Sequence, residues 1–245
     1  YCLFGGSLLG AIRYQNLIPW DDDLDVAMPR PDYERMISSK RIKEYIEKAG
    51  LFLLSNSTCK KYHNEFGKLI DYKITVKPNN KPFDFVEKIG LFLDIFPIDN
   101  YLECEKLQNK CRNTMFKSEK RRINVISCLK AQSPFKSRFK YFLKSIIWKA
   151  YYFVPLKKSL SKINSAEGYE KCISVSCNTS FDYIGRCVPK GHFFPTDKKI
   201  MFGSKEYPVH NEYIEVAKML YGDTFMTPPK VKKRVSNHEF SFYKD

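Results

Sequence analysis

Four carboxylates fall within five positions in the run Trp20-Asp21-Asp22-Asp23-Leu24-Asp25-Val26, and this constrains the chain more than any other feature. A protein interior does not accept such a run unless the charges are paired, solvated or bound to a cation. Leu24-Asp25-Val26-Ala27 alternates as a strand does. Residues two apart in a strand share a face, so Asp23 and Asp25 are expected side by side. Two carboxylates so placed repel unless a cation lies between them. Mg2+ and Mn2+ prefer oxygen ligands and complete their shells with water and phosphate oxygens. A third carboxylate, Asp94, sits in the apolar strand-like stretch Leu91-Phe92-Leu93-Asp94-Ile95-Phe96. The competing reading of residues 21–25 is a solvated acidic loop that caps a helix or binds calcium. The run lacks the Gly and Glu spacing of an EF-hand loop, which weakens the calcium option.

Upstream, Tyr1 to Phe4 reads as a strand and Gly5-Gly6-Ser7 as a tight turn that gathers backbone N–H groups. A Gly-Ser turn, an Asp-x-Asp strand and a lone acid on another strand together form the layout of a nucleotidyltransferase. The turn and Ser7 would then meet donor phosphates while the carboxylates hold the metal. The expected class is α/β, with a nucleotidyltransferase-like (polymerase-beta-type) mixed sheet, flanking helices and a basic helical insertion. Leu8 to Tyr14 is expected to be helical. A helix capped by Asp32 should run to Ala49 and stop at Gly50. Strands follow near 51–54, 66–70 and 72–76, then at Leu91–Phe96, ended by Pro97.

Charge divides the chain. The formal net charge of +15 implies anionic partners. From Lys106 to Lys162 there are 16 Lys and Arg against one acid, Glu119. Residues 103–131 read as basic and helical, and 135–153 as a basic amphipathic helix. The expected division is a nucleotidyltransferase-like core over 1–102, a basic insertion over 103–170, and the C-terminal part of the catalytic unit over 171–245. The eight cysteines contain no Cys-x-x-Cys pair, so reduced thiols are expected rather than a zinc site. No apolar run reaches the ~20 residues that span a bilayer. Tyr1 is not a start methionine, and the natural chain is expected to begin upstream.

Several stretches bear a closer likeness. Gly6-Ser7-Leu8-Leu9-Gly10-Ala11-Ile12-Arg13, Ile18-Pro19-Trp20 with the acidic run, and Met28-Pro29-Arg30-Pro31-Asp32-Tyr33 resemble the LicD family of phosphocholine transferases, which includes the fukutin-related proteins. Leu93-Asp94-Ile95-Phe96-Pro97-Ile98-Asp99, Tyr221-Gly222-Asp223 and Pro228-Pro229 with Arg234 and His238 agree with it. The resemblance implies transfer of an alcohol phosphate from a CDP-linked donor, with Mg2+ or Mn2+. Asp23 and Asp25 are then paired metal ligands, and Asp94 is the third carboxylate, either a ligand or the base for the acceptor hydroxyl. Gly6 and Ser7 are donor-phosphate contacts, and Arg13, Arg30, Lys68 and Arg234 are candidates for supplementary ones.

The implied acceptor is a surface glycan, such as lipopolysaccharide, teichoic acid or capsule, or its lipid-linked precursor. Such glycans are often built on lipid carriers, so the basic helix over 135–153 is expected to hold a cytoplasmic protein at the inner membrane face by peripheral contact with anionic lipid. Two rivals remain. A nucleic-acid nucleotidyltransferase fits the charge but lacks an aromatic-and-glycine RNA-binding signature. A non-catalytic membrane-binding module fits residues 135–153, with the acidic run incidental.

Overall fold

A computed structural model describes residues 1–55, 57–59, 62, 66–78, 89–101, 169, 172–177, 186–235 and 240–244. A short strand, β1 (Cys2–Leu3), leads straight into helix α1 (Gly5–Tyr14). The Gly-Gly-Ser expected as a separate turn is therefore the first turn of this helix. Strand β2 (Asp25–Pro29) follows the acidic run and passes directly into α2 (Arg30–Ser38). The single helix expected over 32–49 is two, because Ser39 adopts an extended backbone and caps α3 (Lys40–Lys48), its hydroxyl accepting from the Ile42 N–H at 3.3 Å. Serine competes with helix interiors and favours such caps, so the break has a local cause.

Strands β3 (Leu51–Leu54), β4 (Gly67–Pro78) and β5 (Ile89–Asn100) come next. The two strands expected over 66–76 are one, interrupted by a register shift between Asp71 and Thr75. At that shift Gly90 comes so close to the Asp71 carbonyl that a Cβ would collide with it. Pro97 does not end β5. The Asp94 N–H faces β2, so the nitrogen of Pro97, three residues on, faces the other side, where the antiparallel ladder with β4 stops at Ile95 and that with β6 starts only at Asp99; its missing N–H costs no ladder a bond.

The remaining elements among the described residues are β6 (Ser174–Ser176), β7 (Cys187–Pro189), the short α4 (Lys190–Phe193), β8 (Lys199–Phe202), β9 (Lys205–Pro208), α5 (Tyr213–Tyr221), a 3-10 turn (Val231–Lys233) and β10 (Phe240–Lys244). Among the described residues eight strands form one mixed sheet of order β1-β2-β5-β4-β10, with β3 also on β4 and β6 joining β5 to β7. The β2–β5 pair is parallel and the other pairs are antiparallel. Strands from the last third of the chain thus complete the sheet begun by the first, in accordance with the expected α/β class. The helices expected over 103–131 and 135–153 and His238 lie outside the described residues.

The largest apolar cluster joins α1 to α5. Leu8, Leu9 and Ala11 pack with Phe4, Phe96, Phe193, Val216, Ala217 and Leu220. Truncating a buried leucine such as Leu8 costs roughly 2–5 kcal/mol in cores of this kind. His210 is fully buried here, edge-on to Phe4 and Phe193, with the Cys2 thiol 3.2 Å from its Nδ1. Burial lowers its pKa to about 3, so it is neutral, and raises that of Cys2 to about 12. Cys2, Cys59, Cys172, Cys177 and Cys187 are free thiols. No helix among the described residues is long and apolar enough to cross a membrane.

Candidate active site

Register brings the acids together. In the parallel β2–β5 pair, Asp25 lies opposite Asp94, so both side chains project from one face at adjacent positions. The Asp94 N–H donates to the Leu24 carbonyl at 2.8 Å, fixing this rung. Asp23 arrives differently from expectation. Strand β2 starts at Asp25, so Asp23 belongs to the loop before it, and the loop, not the strand pleat, turns it inward. Asp23, Asp25 and Asp94 each offer an oxygen within 4.8 Å of the others.

The first turn of α1 holds Asp25 from the other side. The Gly6 N–H donates to Asp25 Oδ2 at 2.9 Å, and Ser7 Oγ accepts from the Asp25 N–H at 2.8 Å. The Phe4 N–H also donates to the Asp25 carbonyl, at 3.1 Å. The N–H groups of a helix N-terminus favour a carboxylate there. Gly6 lets the Asp21 side chain come close. A Cβ at this position would run into the Asp21 carboxylate, with Asp25 Oδ2 just beyond. The residues expected to meet donor phosphates thus latch a carboxylate in place, and Ser7 is only 2% exposed.

Lys68 supplies a cation inside the cluster. It pairs with Asp94 across the β4–β5 ladder, and its Nζ lies 2.5 Å from Asp94 Oδ1 with both groups buried. The ammonium also sits 3.8 Å from the centre of the Phe92 ring, an arrangement favourable to a desolvated cation. Negative charge still predominates. Burial first, then the charges of Asp23 and Asp94, push the Asp25 pKa well above its ordinary range, and the Gly6 N–H only partly opposes them. Burial and then Asp23 raise Asp21 from 3.8 to about 7. Asp25 carries its charge readily only when a further cation is present. An all-oxygen set of three acids, two of them buried, fits a hard divalent ion such as Mg2+ or Mn2+.

The other cations singled out in the sequence have protein partners. The Arg13 guanidinium donates to the Phe225 and Thr227 carbonyls. Arg30 forms a buried ion pair with Asp99, Nε to Oδ1 at 2.5 Å. Arg234 lies 5.0 Å over the Trp20 ring and donates from Nε to the Pro229 carbonyl at 2.9 Å. Sequence reasoning missed the partners of Arg30 and Lys68 and the contact of Asp21 with Gly6. One signal was available: Arg30 and Asp99 each follow their site acid, Asp25 and Asp94, by five residues. Two strands in parallel register therefore bring them together as well.

A mixed sheet with paired acids on adjacent strands and a helix N-terminus behind them defines a nucleotidyltransferase-like domain. The model of the LicD/FKTN/FKRP nucleotidyltransferase domain matches residues 1–127, and the chain belongs to this LicD family. It is 27% identical over 238 residues, 94% of this chain and 83% of the relative, to the lipopolysaccharide cholinephosphotransferase LicD of Haemophilus influenzae.

Proposed function

We propose that this chain transfers an alcohol phosphate, phosphocholine first among them, from a CDP-linked donor to a hydroxyl of a lipopolysaccharide-type surface glycan or its lipid-linked precursor. Family membership and the activity of the Haemophilus relative make the chain a phosphotransferase. The observation that carries the reading is the Asp25–Asp94 rung with Asp23 folded against it.

The acceptor oxygen attacks the phosphorus that bears choline, the bond to the bridging oxygen of the diphosphate breaks, and CMP leaves with that electron pair. The acceptor proton is lost to a base or to water. Anionic donor and incoming oxygen repel one another, so catalysis depends on neutralising charge where it develops. Asp23, Asp25 and Asp94 are the residues that would hold Mg2+ or Mn2+. Such an ion neutralises the diphosphate and polarises its phosphorus–oxygen bonds. Gly6 and Ser7 serve by fixing Asp25. Lys68 orients Asp94 and adds positive charge beside the reacting phosphate. Arg13 serves from further out, holding the 225–227 segment against α1.

CMP release from CDP-choline, with Mg2+ or Mn2+, tests the proposal in the wild type, Asp23→Asn and Asp25→Asn. The expected result is metal-dependent release that either substitution lowers by on the order of a hundredfold or more. Turnover of CDP-ribitol or CDP-glycerol in place of CDP-choline would change the donor and keep the chemistry. Undiminished CMP release by Asp25→Asn would refute the site.

A further inference from the structure

The segment between the buried Phe225 and Val235 has no part in holding the carboxylates, yet it is tied to the helix and the loop that flank them. Two tethers place it there: Arg13 of α1 holds its start through the Phe225 and Thr227 carbonyls, and Arg234 lies over Trp20, the residue before Asp21. Its composition is one-sided. From Thr224 to Val235 there are four cations, Lys230, Lys232, Lys233 and Arg234, and no acid. All four are exposed. Interspersed with them are exposed aliphatic side chains: Met226 is 52% exposed, Val231 74% and Val235 65%. Single exposed aliphatics are ordinary. Three of them in ten residues of otherwise cationic chain, held against the rim of an active site, form a surface of mixed character.

We infer that residues 226–235 are a lip that seats the protein on an anionic lipid surface, so that the acceptor reaches the carboxylates while carried on a lipid. This deepens the proposed function by naming the surface through which a lipid-carried acceptor is met, and rests on it for that part alone. Charge complementarity argues for the occupant: an anionic leaflet attracts a basic segment within about a Debye length. The aliphatics argue for lipid over a soluble anion. Valine and methionine contribute nothing to binding a free phosphate. At a headgroup boundary they enter the acyl region while lysine stems extend back to the phosphates.

The test measures partitioning of the full chain onto phosphatidylcholine vesicles with and without about a third phosphatidylglycerol, no donor being present. Expected is binding to the anionic vesicles that Lys230→Gln/Lys232→Gln/Lys233→Gln weakens by roughly a hundredfold, about fivefold per lysine. Val231→Ser/Val235→Ser should weaken it by about tenfold, with CMP release from soluble CDP-choline unchanged. Loss with the lysine variant alone would identify a soluble-anion site and overturn the lip. Wild-type partitioning by both variants would overturn it also, placing any membrane contact elsewhere. CMP release, measured on the same samples, reports separately on the transferase reading.

Discussion

Arg30→Met is the most informative perturbation of the framework behind the site. The Arg30 side chain is 6% exposed and that of Asp99 0%, and the guanidinium lies over the Tyr33 ring at 5.2 Å. Burial alone would lower the Arg30 pKa, but the charge of Asp99 and its hydrogen bond more than reverse that. Methionine keeps much of the side-chain volume and removes the cation facing a fully buried carboxylate. Removing one partner of a buried pair costs about 3–5 kcal/mol, against roughly 0–1 kcal/mol for an exposed pair. Lys40–Glu44, with Lys40 92% exposed, is such a pair and serves as the control. The Arg30 loss would take about a third of the ~5–15 kcal/mol that holds a typical domain together. Urea denaturation should show a lower midpoint for Arg30→Met at unchanged slope and almost no shift for Lys40→Met. Replacing both partners, Arg30→Met with Asp99→Leu, should recover much of the loss, because no charge is then left buried. A cost below about 1 kcal/mol for Arg30→Met would refute the reasoning, since the pair would then behave as a solvated one.

Two other outcomes follow from the geometry around Asp25. Ser7→Ala removes the acceptor of the Asp25 N–H, so Mn2+ binding measured without donor should weaken while the KM for CDP-choline moves less, and Ser7→Thr should retain both. Unchanged Mn2+ affinity with a raised KM would instead make Ser7 a donor-phosphate contact, as the sequence led one to expect. Burial and its acidic neighbours hold Asp21 at about 7 against 3.8 for the free group, so its own contribution to metal-free stability is fullest below pH ~4 and is lost as pH rises through about 7. Asp25, shifted in the same direction, adds to that loss. Thermal melts without metal should show Asp21→Asn gaining on the wild type across this window, and Mg2+ or Mn2+ should narrow the difference. A gap between the two proteins that does not change with pH would argue against a half-buried Asp21 crowded by other acids.

Much of the candidate site was legible because the residues that cluster there are close in sequence or unusual in their surroundings. The acidic run announced itself by charge density, and Asp94 by being a carboxylate among apolar neighbours. Local rules located α1, β2, β3 and the core of β5. They failed where the deciding interaction was non-local: Pro97 reads as a strand end, yet neither neighbouring ladder needs its N–H at that point. Ser39 is a different case. Its capping chemistry was present in the sequence, but the apolar spacing on either side concealed it.

By itself, then, the sequence determined that a Gly-Gly-Ser run and three acids follow one another in the order of a nucleotidyltransferase-like domain, and that an excess of cations accompanies them. Tertiary structure decided what those cations do. Lys68 reaches Asp94 across a ladder, Arg30 reaches Asp99 one rung beyond the last β2–β5 pair, and Arg13 holds a segment more than two hundred residues away. A guanidinium or ammonium is the same in sequence whether it awaits a phosphate or is already paired. Only the register of strands far apart in the chain determines which carboxylate or carbonyl lies opposite it.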